Sequence, residues 1–171
     1  MLCRKGRRSY VEDKKEVALA ERWEARLQAE LRAVNERSAR FGLMLNEQGV
    51  TNVAARRRAA LAETGRVELG GSAVPAIIDG FCDSPYLQQD EYEETLSALV
   101  EAFYYYKNES GDRLTDGELI CAMRERYDAS GGSVEAVIGT TLDALCRAAK
   151  HGLQEEPEQE EAAKEETDGE S

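Results

Sequence analysis

The run from Asp90 to Asn108, DEYEETLSALVEAFYYYKN, constrains the fold more than any other stretch. At about 100° per residue, Tyr92, Leu96, Leu99, Phe103 and Tyr106 fall within about 80° of arc on a helix. Val100 and Tyr104 widen this stripe, while Glu94, Glu101 and Tyr105 point the opposite way. A helix of about five turns with so broad an apolar face needs several partner helices to cover it.

The flanking sequence supplies them. From Lys14 the pattern is helical, with Ala20, Leu27, Val34 and Phe41 recurring every seven residues, Trp23 and Leu31 beside them, and Gly42 as the stop. The repeat lasts only about three heptads, which favours a bundle helix over a dimer seam. Asn46 caps the next helix, with Glu47 in its first turn, Val50, Val53, Ala54, Ala60 and Leu61 inward, and Gly65 at its end. Arg66 to Leu69 reads as an extended, strand-like cover for the bundle edge. Ser72 caps a short helix with Pro75 in its first turn and Val74, Ile77, Ile78, Phe81 and Cys82 on its apolar face. Thr115 and Glu118 form a capping box, with Leu119, Ile120, Met123 and Tyr127 following at core positions. Ser133 caps a last helix carrying Val134, Val137, Ile138, Leu142, Leu145 and Ala149 as far as Gly152. The expected fold is all-α: one compact bundle of five to six helices over residues 14–152.

Charge divides the chain further. Residues 1–15 hold six Lys or Arg against two acids, and residues 153–171 hold nine acids against Lys164. Residues 16–152 hold 15 bases and 23 acids. We therefore expect a flexible basic arm over 1–13 and a disordered acidic tail over 153–171. An acidic body argues against nucleic acid as the partner, since phosphate contacts need a net basic face. The basic cluster Arg4, Lys5, Arg7 and Arg8 is followed by no apolar segment of the kind an export signal requires. The longest uncharged run in the folded part, Leu69 to Ile78, is too short to cross a membrane. The expectation is a cytoplasmic protein with reduced cysteines, of which Cys82, Cys121 and Cys146 lie in apolar stretches that predict packing as small hydrophobes.

Candidates for chemistry are few. His151, the sole histidine, sits at a helix end and points away from Cys146, so no cysteine–histidine pair is expected. One histidine and scattered cysteines give little material for zinc. The segment Asp112 to Glu118 resembles the start of a calcium loop, but Leu114 and Met123 occupy its third and twelfth positions, where oxygen ligands are needed. Gly70-Gly71 and Gly131-Gly132 lack the residues of a phosphate loop. No metal or cofactor is expected. Arg56, Arg57 and Arg58 span about 200° of a helix, cannot form one flat patch, and are expected to pair with acids on neighbouring helices.

Four residues remain as binding candidates. Asp79 and Asp83 are spaced i, i+4, a pairing that binds a cation or poises an acid when the two carboxylates face a site. Tyr105 points away from the apolar stripe of its helix, and Tyr86 rides the Asp83-Ser84-Pro85-Tyr86 turn.

Phe81-Cys82-Asp83-Ser84-Pro85-Tyr86 and Phe103-Tyr104-Tyr105-Tyr106-Lys107-Asn108-Glu109 resemble hallmark runs of a family of small uncharacterised proteins from Firmicutes bacteria. Phe41-Gly42-Leu43 and Gly65-Arg66-Val67-Glu68 are similar to its earlier segments. The resemblance covers about residues 30–150 and implies a bacterial, intracellular, helical protein with a domain of unknown function; it carries no site residues. The leading functional expectation is therefore a non-enzymatic module that binds another protein or its own copy through Tyr86, Tyr105 and nearby acids. The alternatives are a ligand-binding or enzymatic bundle using Asp79, Asp83, Tyr92 or Tyr104, and nucleic-acid binding through the basic arm and Arg56 to Arg58.

Overall fold

Local signals set most of the helix boundaries. In the computed structural model, which describes residues 10–68 and 70–152, seven α-helices follow one another with no strand among the described residues. They are α1 (Tyr10–Ser38), α2 (Glu47–Thr64), α3 (Val74–Phe81), α4 (Tyr92–Glu109), α5 (Asp116–Ala129), α6 (Val134–Val137) and α7 (Thr140–His151). Asn46 caps α2 by accepting from the Gly49 N–H, and Gly65 ends it in the left-handed conformation. At α3 the N-cap position is Ala73 rather than Ser72, whose Oγ accepts from the Val74 N–H just ahead of the helix. Thr115 and Glu118 satisfy each other's backbone N–H groups at the start of α5. Residues 1–9 of the arm expected over 1–13, the tail expected over 153–171, and Leu69 at the end of the strand-like segment lie outside the described residues. α1 begins at Tyr10, four residues before the expected start at Lys14.

α4 is the hub, touching α2, α3, α5, α6 and α7. Tyr92, Leu96, Leu99, Val100, Phe103, Tyr104 and Tyr106 are all buried, as their spacing requires. α1 runs antiparallel to α2, since Arg32 pairs with Glu47 and Arg58 with Glu24. α2 runs parallel to α4, since Asn52 donates to Glu93 and Arg56 pairs with Glu101 further along both helices. The connector between α1 and α2 is held from both sides. Asn35 exchanges two hydrogen bonds with the Leu45 backbone, and Gln89 does the same with Met44. Leu43 and Leu45 thereby point inward, while Met44 is exposed.

Three expectations need correction. The last helix is two, because the chain extends at Ile138 and Gly139 before α7 starts. Glycine followed by the β-branched Thr140 and Thr141 gives helix propagation little support there, and Gly139 becomes the N-cap of α7. The break turns Ile138 out to 52% exposure, and Leu145 also reaches the surface. Cys121 is exposed rather than packed, because it lies on the outer face of α5; Cys82 and Cys146 are buried free thiols. Among the described residues of α1, Leu27, Leu31, Val34 and Ser38 are fully covered, while Leu19, Trp23 and the heptad's last member, Phe41, remain exposed. Leu19 and Trp23 face an open hollow bounded by Arg57 and Leu61 of α2 and by Arg66 and Val67 after it, rather than a neighbouring helix.

One close approach tests the packing. A Cβ at Gly80 would stand 2.5 Å from Ile120 Cγ2, where α3 crosses α5. That methyl branches directly from the Ile120 Cβ and cannot swing clear. Gly80→Ala is expected to destabilise the protein by about 1–2 kcal/mol, the clash outweighing the better helix propensity of alanine. Urea unfolding reads this directly, and an unchanged or raised midpoint would refute the close α3–α5 contact.

Candidate functional site

The surface along α2 and α4 is shaped by the three- and four-residue spacing of its side chains. Asn52, Arg56 and Glu63 line one wall from α2, and Asp90, Glu94 and Glu101 line the other from α4 and the turn before it. Between them Ala55, Ala59, Ser97 and Ala98 form a floor of small side chains, leaving a groove of about 780 Å³. At its far end a shelf of about 370 Å³ is bounded by Glu63, Glu101, Ala102, Tyr105 and Ile138. Tyr105 is 47% exposed and leans edge-on against the buried Tyr106, with ring centroids 5.0 Å apart. Glu101 borders both spaces, so groove and shelf form one continuous face.

Tyr86 stands elsewhere, at the corner between α3 and α5. Its turn is pinned by three contacts. The Tyr86 N–H donates to Ser84 Oγ, the Tyr127 hydroxyl donates to the Tyr86 carbonyl, and Ser84 Oγ donates to Asp128 at 2.6 Å. Arg124 ties the corner together through Asp83, Asp128 and the Gly80 carbonyl, at 2.5, 2.7 and 2.8 Å. The Tyr86 ring itself is 45% exposed.

The paired acids are occupied. Asp79 accepts two hydrogen bonds from Arg37 of α1, and Asp83 is held by Arg124 of α5. The hydrogen bond from Arg124 keeps the Asp83 carboxyl below the usual carboxylate range. A carboxylate held ionised in this way is a poor general acid. Among the described residues, no group of three or more His, Cys, Asp or Glu is placed to hold a metal ion. Arg56, Arg57 and Arg58 diverge as their spacing requires, to Glu101, Glu68 and Glu24.

Sequence spacing did not point to the half-buried hub at Glu68. One of its oxygens takes the Arg57 guanidinium, and the other accepts the Tyr104 hydroxyl at 2.7 Å. Burial raises the Tyr104 phenol most, and the Glu68 hydrogen bond adds to it. The apolar spacing of the last segment predicts Ile138 inside the core; it is instead half of the shelf. Glycine and two threonines directly after it were the available signal.

Residues 30–155 match the model of a family of unknown function (DUF6323), in keeping with the resemblance carried by the Phe81–Tyr86 and Phe103–Glu109 runs. No curated protein and no solved structure matches the chain.

Proposed function

The chain belongs to DUF6323, a family that brings no activity with it, and from its surface we propose a non-enzymatic protein-interaction module of the bacterial cytoplasm. The observation that carries this reading is the Tyr105–Ile138 shelf, two large side chains each about half exposed, Tyr105 on α4 and Ile138 at the break between α6 and α7. An aromatic ring braced from beneath loses little side-chain freedom on binding, which is what makes tyrosine an effective anchor. Tyr86, on its pinned turn, offers a second anchor of the same kind. The cytoplasmic setting is supported by free Cys82, Cys121 and Cys146, and by the absence among the described residues of any helix long and apolar enough to cross a membrane.

The test is recovery from an extract of the source cells with the wild-type chain and a Tyr105→Glu/Ile138→Asp variant in parallel. Both positions are exposed, so circular dichroism and melting temperature are expected to stay unchanged. Proteins retained by the wild type should fall by about tenfold or more with the variant, matching the loss of a central anchor. The same proteins retained in the same amounts by both would overturn the reading of this shelf.

A further inference from the structure

We propose that the α2–α4 groove receives a basic, amphipathic helix of a partner protein, lying along the seam with an apolar residue on the Tyr105–Ile138 shelf. This rests on the interaction-module reading and names the chemistry of the partner. Three properties of the face lead there.

The first is shape. α2 and α4 run in the same direction, with Asn52 meeting Glu93 and Arg56 meeting Glu101 along the seam between them. The stretch from Asp90 to Tyr105 rises about 22 Å, the length of about four helical turns. Alanine and serine on the floor let a helix backbone come close, as side chains at a crossing set the interaxial distance.

The second is charge. Glu63, Asp90, Glu93, Glu94 and Glu101 border the face against one cation, Arg56, which Glu101 already holds. Glu93 accepts only from the neutral Asn52 amide, and Glu63, Asp90 and Glu94 have no ion pair or side-chain hydrogen bond among the described residues. Elsewhere among the described residues, Arg32, Arg37, Arg66 and Arg124 each hold an acid of another element. The surplus on this face repels phosphate and selects lysine and arginine.

The third is the apolar end. Charge alone would attract any polycation, but Tyr105 and Ile138 lie at one end only, so a ligand gains their contact in one orientation. A helix with cationic residues at i, i+3, i+4 and i+7 and a leucine in one terminal turn fits all three properties.

The probe is a fluorescein-labelled synthetic peptide of lysine and alanine, about four turns long, with leucine in one terminal turn, titrated with the full chain and followed by polarisation. Saturable binding that weakens with salt is expected, with none for the glutamate–alanine analogue. The triple variant Glu63→Gln/Asp90→Asn/Glu94→Gln should weaken the probe by about tenfold or more and flatten the salt dependence. Tyr105→Ala should weaken it while leaving the salt dependence intact, which a purely electrostatic association would not show. No saturable binding, or equal binding to the triple variant, or indifference to Tyr105→Ala, overturns the proposal. So does probe binding that appears only after removal of residues 1–9, or only on dilution of a dimer seen in light scattering; the occupant is then the chain's own arm or a second copy. If the probe fails while the Tyr105/Ile138 variant still loses proteins from extract, the helix falls and the interaction reading stands.

Discussion

Glu68→Leu is expected to cost about 3 kcal/mol of folding free energy, the scale for removing one partner of a buried ion pair. Glu68 and Arg57 are both mostly covered, with side chains 18% and 15% exposed. Without the carboxylate, the Arg57 charge stays under α1 with no counter-ion, and the Tyr104 hydroxyl loses its acceptor. Stranding a buried hydroxyl alone costs about 1–3 kcal/mol, and the residual water contact of the pair keeps the total from the top of the range. The stronger test is the double variant Arg57→Met/Glu68→Leu. Removing the charge together with its partner should restore the ionic part of the loss, because the desolvation of both ions disappears with them, while the stranded Tyr104 hydroxyl remains. Urea unfolding of the single and double variants, with Tyr104→Phe as a control near 1 kcal/mol, closes the cycle. Equal losses for the single and double variants would mean that Glu68 stabilises the loop after α2 by some route other than Arg57.

This hub also marks where the sequence stopped being readable. Tyr92, Leu96, Leu99, Phe103 and Tyr106 announce their burial because one helix, at one period, sets which way all of them point. Asn46 and the Thr115–Glu118 box are just as local, since a cap and its N–H lie three residues apart. Glu68 meets partners 11 and 36 residues away, and no period connects them. The groove is of the same kind. Ala55 and Ala59 look like ordinary helix formers, and Ser97 and Ala98 like the thin side of α4; they become a floor only because α2 and α4 lie parallel. Tyr105 was legible as a residue off the stripe, but its companion was not. Ile138 reached the surface because backbone propensity at Gly139 prevailed over a plausible apolar pattern. The acid pair at Asp79 and Asp83 shows the converse. Its spacing was real, but the partners arrive from α1 and α5 and turn it into two structural ties.

Above pH 10 the protein is expected to unfold in one cooperative step, driven by its buried tyrosines. Burial pushes the Tyr92 phenol from 10.0 up to about 12, and it raises Tyr104, Tyr106 and Tyr127 as well. A phenol whose pKa is higher in the folded state keeps its proton there and loses it when the chain unfolds. The stability this represents is complete below pH 10, and for Tyr92 it drains away as pH rises through 12. Each such tyrosine forfeits about 1.4 kcal/mol per pH unit, so the three most strongly raised together remove about 4 kcal/mol per unit. That approaches the whole stability of a domain, about 5–15 kcal/mol, between pH 10 and 12. Cys146, pushed by burial to about 11, adds to the same trend. The acid side is gentler. Asp83 and Asp112, lowered by hydrogen bonds from Arg124 and Arg66, contribute stability that is present above pH 3.8 and lost only as pH falls through their lowered values. Ellipticity and tyrosinate absorbance recorded together across the alkaline range test the argument. The buried phenols should ionise in the same narrow step in which helix is lost, and Tyr92→Phe should move that step to higher pH. Full ionisation of all seven tyrosines with the helices intact would mean that the α4 stripe is open to water, and the hub drawn around it would have to be abandoned.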